Sequence, residues 1–267
     1  MTGRLEGKVA LVTGAGSVGP GWGNGRATAV VFAHEGARVF LVDRDEVSLE
    51  ATAETIRSEG GTVAATAVAD VTDPGSVQGF IDDCAGRFGA LDVLVNNVGG
   101  SRAGGVAELS LDEWNGQLQV NLTSVFLGCK AAVPVMRAAG GGSIVNVSSA
   151  SGLRYTGAPQ VGYASAKAAI IQLSRVTAVQ YAADRIRVNT VVPGQLHTPM
   201  VEARLAGQRA GGDVEKLLAQ RQARIPIGFM GDGRDTAYAA LFFASDESRF
   251  VTGAEIVVDG GMTVRCD

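Results

Sequence analysis

Val9-Ala10-Leu11-Val12-Thr13-Gly14-Ala15-Gly16-Ser17-Val18-Gly19-Pro20-Gly21-Trp22-Gly23-Asn24-Gly25-Arg26-Ala27 joins an apolar run, a dense glycine turn and the start of a second apolar pattern. Ala27, Val30, Val31 and His34 then recur at i, i+3, i+4 and i+7, the stripe of an amphipathic helix. Strand, glycine turn and helix in that order build the phosphate-binding unit of a dinucleotide fold. Two registers compete for it. Gly14-x-Gly16-x-x-Gly19 matches G-x-G-x-x-G literally, yet Pro20, Gly21, Gly23 and Gly25 come next, and each interior glycine costs a helix about 1 kcal/mol. The helix is therefore expected to begin at Gly25. Gly14 then makes the tight turn, Gly23 and Gly25 let backbone approach a pyrophosphate, and the helix amides face its charge, with Asn24 between them.

Six more β-branched runs occur downstream: Arg38 to Asp43, Thr62 to Val68, Val93 to Asn96, Ser143 to Val147, Arg187 to Val192 and Glu255 to Val258. Several are continuously apolar rather than alternating, as in a parallel sheet covered on both faces. Between them lie helical patterns, one opened by Asp73-Pro74, a cap followed by proline at the first helical position. The expectation is an α/β chain of Rossmann type: a doubly wound, seven-stranded, mostly parallel sheet with helices on both faces. No repeat or linker divides it, so residues 1–267 are read as a single dinucleotide-binding and catalytic domain. An Arg-rich helical excursion at about 199–226, flanked by Pro199 and Pro226, is the natural lid.

Composition narrows the function. Among 267 residues, 46% are apolar, 37 are Gly and the net charge is −4, with no block of like charge to mark a nucleic-acid face. Apolar runs of four or five residues fall short of the ~18 of a membrane span, and no signal-peptide core is found after Arg4 and Lys8. A cytoplasmic protein with neither nucleic-acid nor membrane partner is expected. Cys84, Cys129 and Cys266 form no C-x-x-C pair, and with only His34 and His197 no metal-ligand spacing is present; no metal is expected.

The second strand ends at Asp43, 18 residues past Gly25, close to the ~20 expected of a carboxylate that bonds the adenosine ribose 2′-hydroxyl. A 2′-phosphate would meet a like charge there, which favours NAD over NADP, while Arg44 offers a phosphate the opposite charge.

Tyr163-Ala164-Ser165-Ala166-Lys167 places a phenol and an ammonium at i and i+4, on one helix face. A nearby cation stabilises phenolate and draws the tyrosine pKa from ~10 toward working pH, as a general acid/base requires. This stretch resembles the Tyr-x-x-x-Lys signature of the short-chain dehydrogenase/reductase family, and further motifs resemble that family in order along nearly the whole chain. Thr13-Gly14 with Gly23-Asn24-Gly25 resembles its cofactor loop, Asp70-Val71 its adenine-contacting pair, and Asn96-Asn97-Val98-Gly99 its Asn-Asn-Ala-Gly turn. Asn121 resembles the helix asparagine that holds a relay water, Ser148-Ser149 the strand end with the catalytic serine, and Pro193-Gly194 through Leu196 and Thr198 the loop that meets the nicotinamide. The resemblance implies a secondary alcohol/ketone oxidoreductase using NAD. Tyr163 would move the proton, Lys167 bind the nicotinamide ribose and polarise Tyr163, Ser149 hold the substrate oxygen, and Asn121 complete the relay. It also implies a homotetramer, with Tyr163 to Ala183 and a long Leu111 to Arg137 helix at the interfaces.

Three departures stand out. Gly14 and Gly25 lie 11 apart where the family has six, an expansion containing Val18 to Trp22. Ser149 and Tyr163 lie 14 apart, one more than usual, which lengthens the loop around Arg154 to Val161. Val98 stands for alanine. A lengthened first loop also occurs in enoyl-carrier-protein reductases, whose tyrosine and lysine are spaced more widely; the i, i+4 pair favours alcohol or carbonyl chemistry. A non-catalytic NAD-binding sensor or scaffold is the other alternative. Trp22, Tyr155, Gln160 and His197 are candidates for the substrate pocket, whereas Arg204, Arg209, Arg221 and Arg224 read as a solvated face.

Overall fold

β1 (Val9–Thr13) is buried at every position because its alternate side chains enter opposite cores, Val9 and Leu11 one, Ala10 and Val12 the other. β2 (Arg38–Asp43) and β4 (Val93–Asn96) repeat the pattern, with Val39 and Leu41 opposite Phe40 and Val42, and Val93 and Val95 opposite Leu94. Layers on both faces therefore explain runs with no polar side. The computed structural model describes residues 3–205, 207 and 211–266. With β3 (Thr62–Val68), β5 (Gly142–Val147), β6 (Ile186–Pro193) and β7 (Glu255–Val258), the strands form one seven-stranded sheet in the order β3-β2-β1-β4-β5-β6-β7. Every pairing is parallel, from Val9 beside Arg38 to Pro193 beside Val258. Strand order reverses between β1 and β4, which opens a crevice at their carboxyl ends.

One face is covered by α1 (Asn24–His34), α2 (Glu46–Ser58) and α8 (Gly233–Ala244), through Val30, Phe32, Leu49, Ile56, Leu241 and Phe243. The other is covered by α3 (Pro74–Phe88), α5 (Ser124–Ala138) and α6 (Val161–Tyr181), through Ile81, Leu127, Met136 and Ile170. Asp73 caps α3 by accepting from the Ser76 amide, with Pro74 at the first position as its spacing predicts. A further helix, α7 (Val214–Gln222), lies in the excursion between β6 and α8.

The long helix expected over Leu111 to Arg137 is interrupted. α4 (Leu111–Leu118) runs into one π-helical turn, Gln119–Thr123, before α5 continues. Such an extra residue in the ladder rotates the remainder of the helix about its axis and occurs often at functional sites. By length and composition an 18-residue stretch within Leu111–Ala138 would suffice to cross a membrane, but half of that stretch is buried in the protein, and Val125, Leu127 and Ala132 of this helix fill the second core.

Beneath the crevice, a buried polar chain fastens α6 to the sheet. Asn96 donates to Asn146 Oδ1 at 2.8 Å, Asn146 donates to Ser174 Oγ at 2.9 Å, and Ser174 donates to the Ile170 carbonyl at 2.8 Å. Asn146→Ala leaves buried donors and acceptors unsatisfied beside a cavity, and urea unfolding is expected to show a loss of about 2–3 kcal/mol.

Candidate active site

The glycine turn brings both ends of its long loop together. Gly14 has φ of +65°, open to glycine at no steric cost, and a Cβ on Gly25 would overlap the Gly14 carbonyl oxygen. Gly25 thus also serves the close packing of α1 against the strand end. The helix begins one residue before the expected position, at Asn24, with Gly23 as its N-cap. No side chain caps that end and no acidic residue occupies its first turn, while Gly23, Asn24 and Gly25 line a cleft of about 540 Å³. Open amides at a helix start suit a phosphate. The expansion folds over the surface: Val18 lines the cleft, a Cβ on Gly19 would touch Pro199 at 3.4 Å, and the Trp22 ring packs on the core 5.4 Å beneath the Arg234 guanidinium.

Asp43, at the end of β2, accepts the Gly16 amide at 2.9 Å and the Asp45 amide at 3.1 Å, so it holds the glycine loop as well as lining the cleft. A carboxylate offers about four lone-pair sites, which leaves room for a ribose hydroxyl. Arg44, Asp45, Asp70 and Val71 share the same wall, and Thr72 holds the Asp70 carboxyl below its usual range by two hydrogen bonds of 2.8 Å. Asp45 is not singled out by spacing; it is the N-cap of α2 and adds a second carboxylate beside Asp43. Gly99, Pro193 at the end of β6, and Gly194, Leu196 and Thr198 beyond it line the far end. Asn97 lines the cleft too, but its amide donates to the Thr13 and Gly14 carbonyls at 3.1 and 3.2 Å, tying β4 to the glycine turn. Uncapped helix amides, a carboxylate wall and a long cleft at the strand reversal fit a dinucleotide.

At that far end α6 presents Tyr163 and Lys167, both lining the cleft, with the Lys167 Nζ 5.7 Å from the Tyr163 ring centroid. Lys167 is 2% exposed and donates to the Val147 carbonyl at 2.9 Å; burial pushes its pKa down to about 8. A Cβ on Gly99 would lie 2.9 Å from that Nζ and 2.8 Å from Asn121 Oδ1, so the three converge. Asn121 sits in the π turn, fully buried, its amide donating to the Gly100 and Gln117 carbonyls and accepting from the Gly100 amide at 3.0 Å. Both protons of its side-chain amide are engaged, which sequence spacing does not reveal. Ser148 lines the cleft but donates its proton to the Lys167 carbonyl at 2.6 Å. Ser149, the next residue, is not among the residues lining the cleft; it accepts the Ser151 amide at 3.2 Å, a bond that does not use its hydroxyl proton.

The pocket candidates fare differently. Trp22, Tyr155, Gln160 and His197 are not among the residues lining the cleft: Trp22 packs on the core, Tyr155 is 79% exposed, Gln160 bonds Ser151 and Thr156, and His197 meets Glu202. Of the arginines read as a solvated face, Arg224 is exposed and Arg209 lies outside the described residues, as does the side chain of Arg204. Arg221 corrects that reading. It is 7% exposed, lines the cleft and donates to the Leu196 carbonyl at 3.1 Å, because α7 turns its apolar side, with Leu217, inward.

Fold and cleft define an α/β protein of the dinucleotide-binding class. A family model described as enoyl-(acyl carrier protein) reductase matches residues 20–263. The 2,5-dichloro-2,5-cyclohexadiene-1,4-diol dehydrogenase LinX of Sphingobium indicum is 39% identical over 264 residues, 99% of either chain. A crystal structure of a short-chain dehydrogenase/reductase from Burkholderia xenovorans superposes with a TM-score of 0.95 at 62% identity, covering 99% of this chain and 100% of that one. Levodione reductase superposes at 0.92 and 32% identity, covering 98% and 100%. The chain belongs to the short-chain dehydrogenase/reductase family, whose members bind a nicotinamide cofactor, and is an oxidoreductase of secondary alcohols and ketones.

Burial of the lysine also makes stability depend on pH. Its pKa is about 8 folded against 10.5 unfolded, so the unfolded chain holds the proton more tightly and folding becomes more favourable as pH rises from 8 to 10.5. Below pH 8 the buried ammonium costs about 3 kcal/mol, at ~1.4 kcal/mol per pKa unit. Lys167→Met, which removes that charge at similar length, is expected to melt above the parent at pH 7, with the gap narrowing toward pH 10.5 in calorimetric scans.

Proposed function

We propose that this chain is an NAD(H)-dependent dehydrogenase that interconverts a secondary alcohol and a ketone, with Tyr163 as general acid/base. The observation that carries the reading is the buried Lys167 ammonium beside the Tyr163 phenol at the cleft end reached by β5 and the π turn. An ammonium there favours phenolate, and phenolate takes the alcohol proton during oxidation; the protonated phenol returns it during reduction. Ser149, with its hydroxyl proton uncommitted, hydrogen-bonds the substrate oxygen, while Ser148 keeps α6 seated. Asn121 anchors the turn, and since its amide is engaged, a proton relay through residue 121 runs over its backbone. The bound nicotinamide supplies or accepts the hydride. Gly14, Gly23, Asn24 and Gly25 hold its pyrophosphate, Asp43 its adenosine ribose, Asp70 and Val71 its adenine, Lys167 its nicotinamide ribose, and Gly99, Pro193, Gly194, Leu196 and Thr198 the nicotinamide end.

NAD is favoured over NADP because Asp43 and Asp45 face a 2′-phosphate with two carboxylates against the single Arg44. The substrate end is walled by Val18, Leu196, Met200, Val201 and Leu205, an apolar set suited to a carbocyclic alcohol. The name of the cyclohexadienediol dehydrogenase supports a ring substrate. Alcohol chemistry is favoured over double-bond reduction, despite the wording of the family model, by the i, i+4 spacing of Tyr163 and Lys167. We read residues 1–267 as a single cytoplasmic catalytic domain, with 199–226 over the substrate. A homotetramer is supported by exposed apolar side chains on two sets of elements, Phe126, Val176 and Val179 on α5 and α6, and Tyr238, Phe250 and Val264 on α8 and toward the C-terminus, since dihedral assembly needs two self-complementary surfaces.

Tyr163→Phe is expected to bind NADH within about twofold of the parent in fluorescence titrations and to lose 10²- to 10⁴-fold in kcat on cyclic secondary alcohols. Full activity in that variant would remove the proton-transfer role. Asp43→Ala is expected to weaken NADH binding about tenfold and to narrow its preference over NADPH. Val179→Asp is expected to lower the sedimenting mass of the assembly in analytical ultracentrifugation.

A further inference from the structure

Three segments that belong to different parts of the cleft meet at one backbone carbonyl. Thr156, in the loop between Ser149 and Tyr163, accepts at its carbonyl from Gln195 Nε2 at 3.1 Å and from Arg224 Nη1 at 2.6 Å. Gln195 belongs to the loop after β6 that lines the nicotinamide end, and Arg224 comes just after α7 in the excursion over the substrate. One turn earlier on that excursion, Arg221 donates to the carbonyl of Leu196, next to Gln195. The end of α7 thus grips the loop carrying the proton-transfer side of the site and the loop carrying the hydride side. Gly157 makes the grip possible: at φ of +86° it has no side chain where the Arg224 guanidinium lies, and a Cβ there would fall on that group.

We propose that Arg221 and Arg224 are positioning residues: they clamp the Thr156 and Leu196 carbonyls so that the seated substrate excursion sets the registration of the two reacting sides. Neither touches the reacting atoms in this role. A guanidinium to a carbonyl is a charge-assisted hydrogen bond, directional enough to fix a loop. Loss of about an ångström in the approach of hydride donor and proton donor suffices to slow transfer strongly. The spacing of 14 between Ser149 and Tyr163, one longer than is usual for the family, provides the loop that reaches across to Gln195 and Arg224. The proposal rests on the reading of the cleft as an alcohol/ketone site.

Hydrogen exchange of the ligand-free protein and turnover of the purified enzyme with NAD and its best cyclic alcohol test it together. Arg224→Met, an exposed site at which the fold is retained, is expected to raise amide exchange about threefold or more in both 153–160 and 194–198. It is expected to lower kcat about tenfold and to raise the deuterium isotope effect on kcat, with KM and NADH affinity changed less than about twofold. Arg224→Lys restores most of both, since an ammonium also donates to a carbonyl. Gly157→Ala displaces the guanidinium from the other side, so its effect and that of Arg224→Met do not add in the double variant. Unchanged exchange, exchange raised in 153–160 alone, additive effects, or no rescue by lysine would each overturn the clamp. Should no alcohol be turned over, the reading of the cleft fails, while the exchange data still decide the clamp.

Discussion

A single ammonium, that of Lys167, organises this end of the molecule by being where a charge is costly. At 2% exposure it has lost most of its water, and the Val147 carbonyl replaces only part of it. Its depressed pKa is the signature of that uncompensated burial. A side chain in this state interacts strongly with any polar group that enters the cleft, because the medium around it screens poorly. The Tyr163 phenol is the neighbour placed to benefit, and the same desolvation that weakens the fold sharpens the site.

The scaffold that fixes this ammonium is distributed over three elements. The Val147 carbonyl ends β5, the Ser148 hydroxyl binds the carbonyl of Lys167 itself, and the Asn96, Asn146 and Ser174 chain keeps α6 from sliding on the sheet. The π turn adds the fourth side by bringing Asn121 against Gly99 and Gly100. Positioning by backbone carbonyls and buried amides is stiff, so the ammonium and the Tyr163 ring keep their places on α6.

Much of this is legible in the residues. The seven strands fall where β-branched runs occur because both sheet faces are covered, so burial, hydrophobicity and strand propensity agree. Asp73-Pro74 announces α3 through local chemistry alone. Tyr163 and Lys167 are legible because i and i+4 meet on any helix. The π turn is not, since one extra residue in a helix leaves no mark on apolar periodicity over so short a span. Arg221 is misread because four arginines spaced unevenly suggest solvent; its burial depends on where α7 docks, a tertiary fact. Asn97 and Asn121 are found by motif, yet their amides hold backbone, because a buried amide is satisfied by the nearest carbonyls whatever its motif.

The long glycine loop shows why length and function separate here. Its two ends, Gly14 and Gly25, are in contact, which brings the start of α1 against the end of β1. Residues inserted between them cannot move that helix start unless they pull the ends apart, and they do not: Asp43 fixes Gly16 on one side and Trp22 anchors on the core on the other. Closing a longer loop costs only ~0.6 kcal/mol per doubling, so the insertion is thermodynamically cheap. What it changes is the rim. Val18 reaches the cleft and Gly19 approaches Pro199, where the 199–226 excursion begins. The start of α1 therefore stays beside the strand end, and the added residues border the cleft near Pro199.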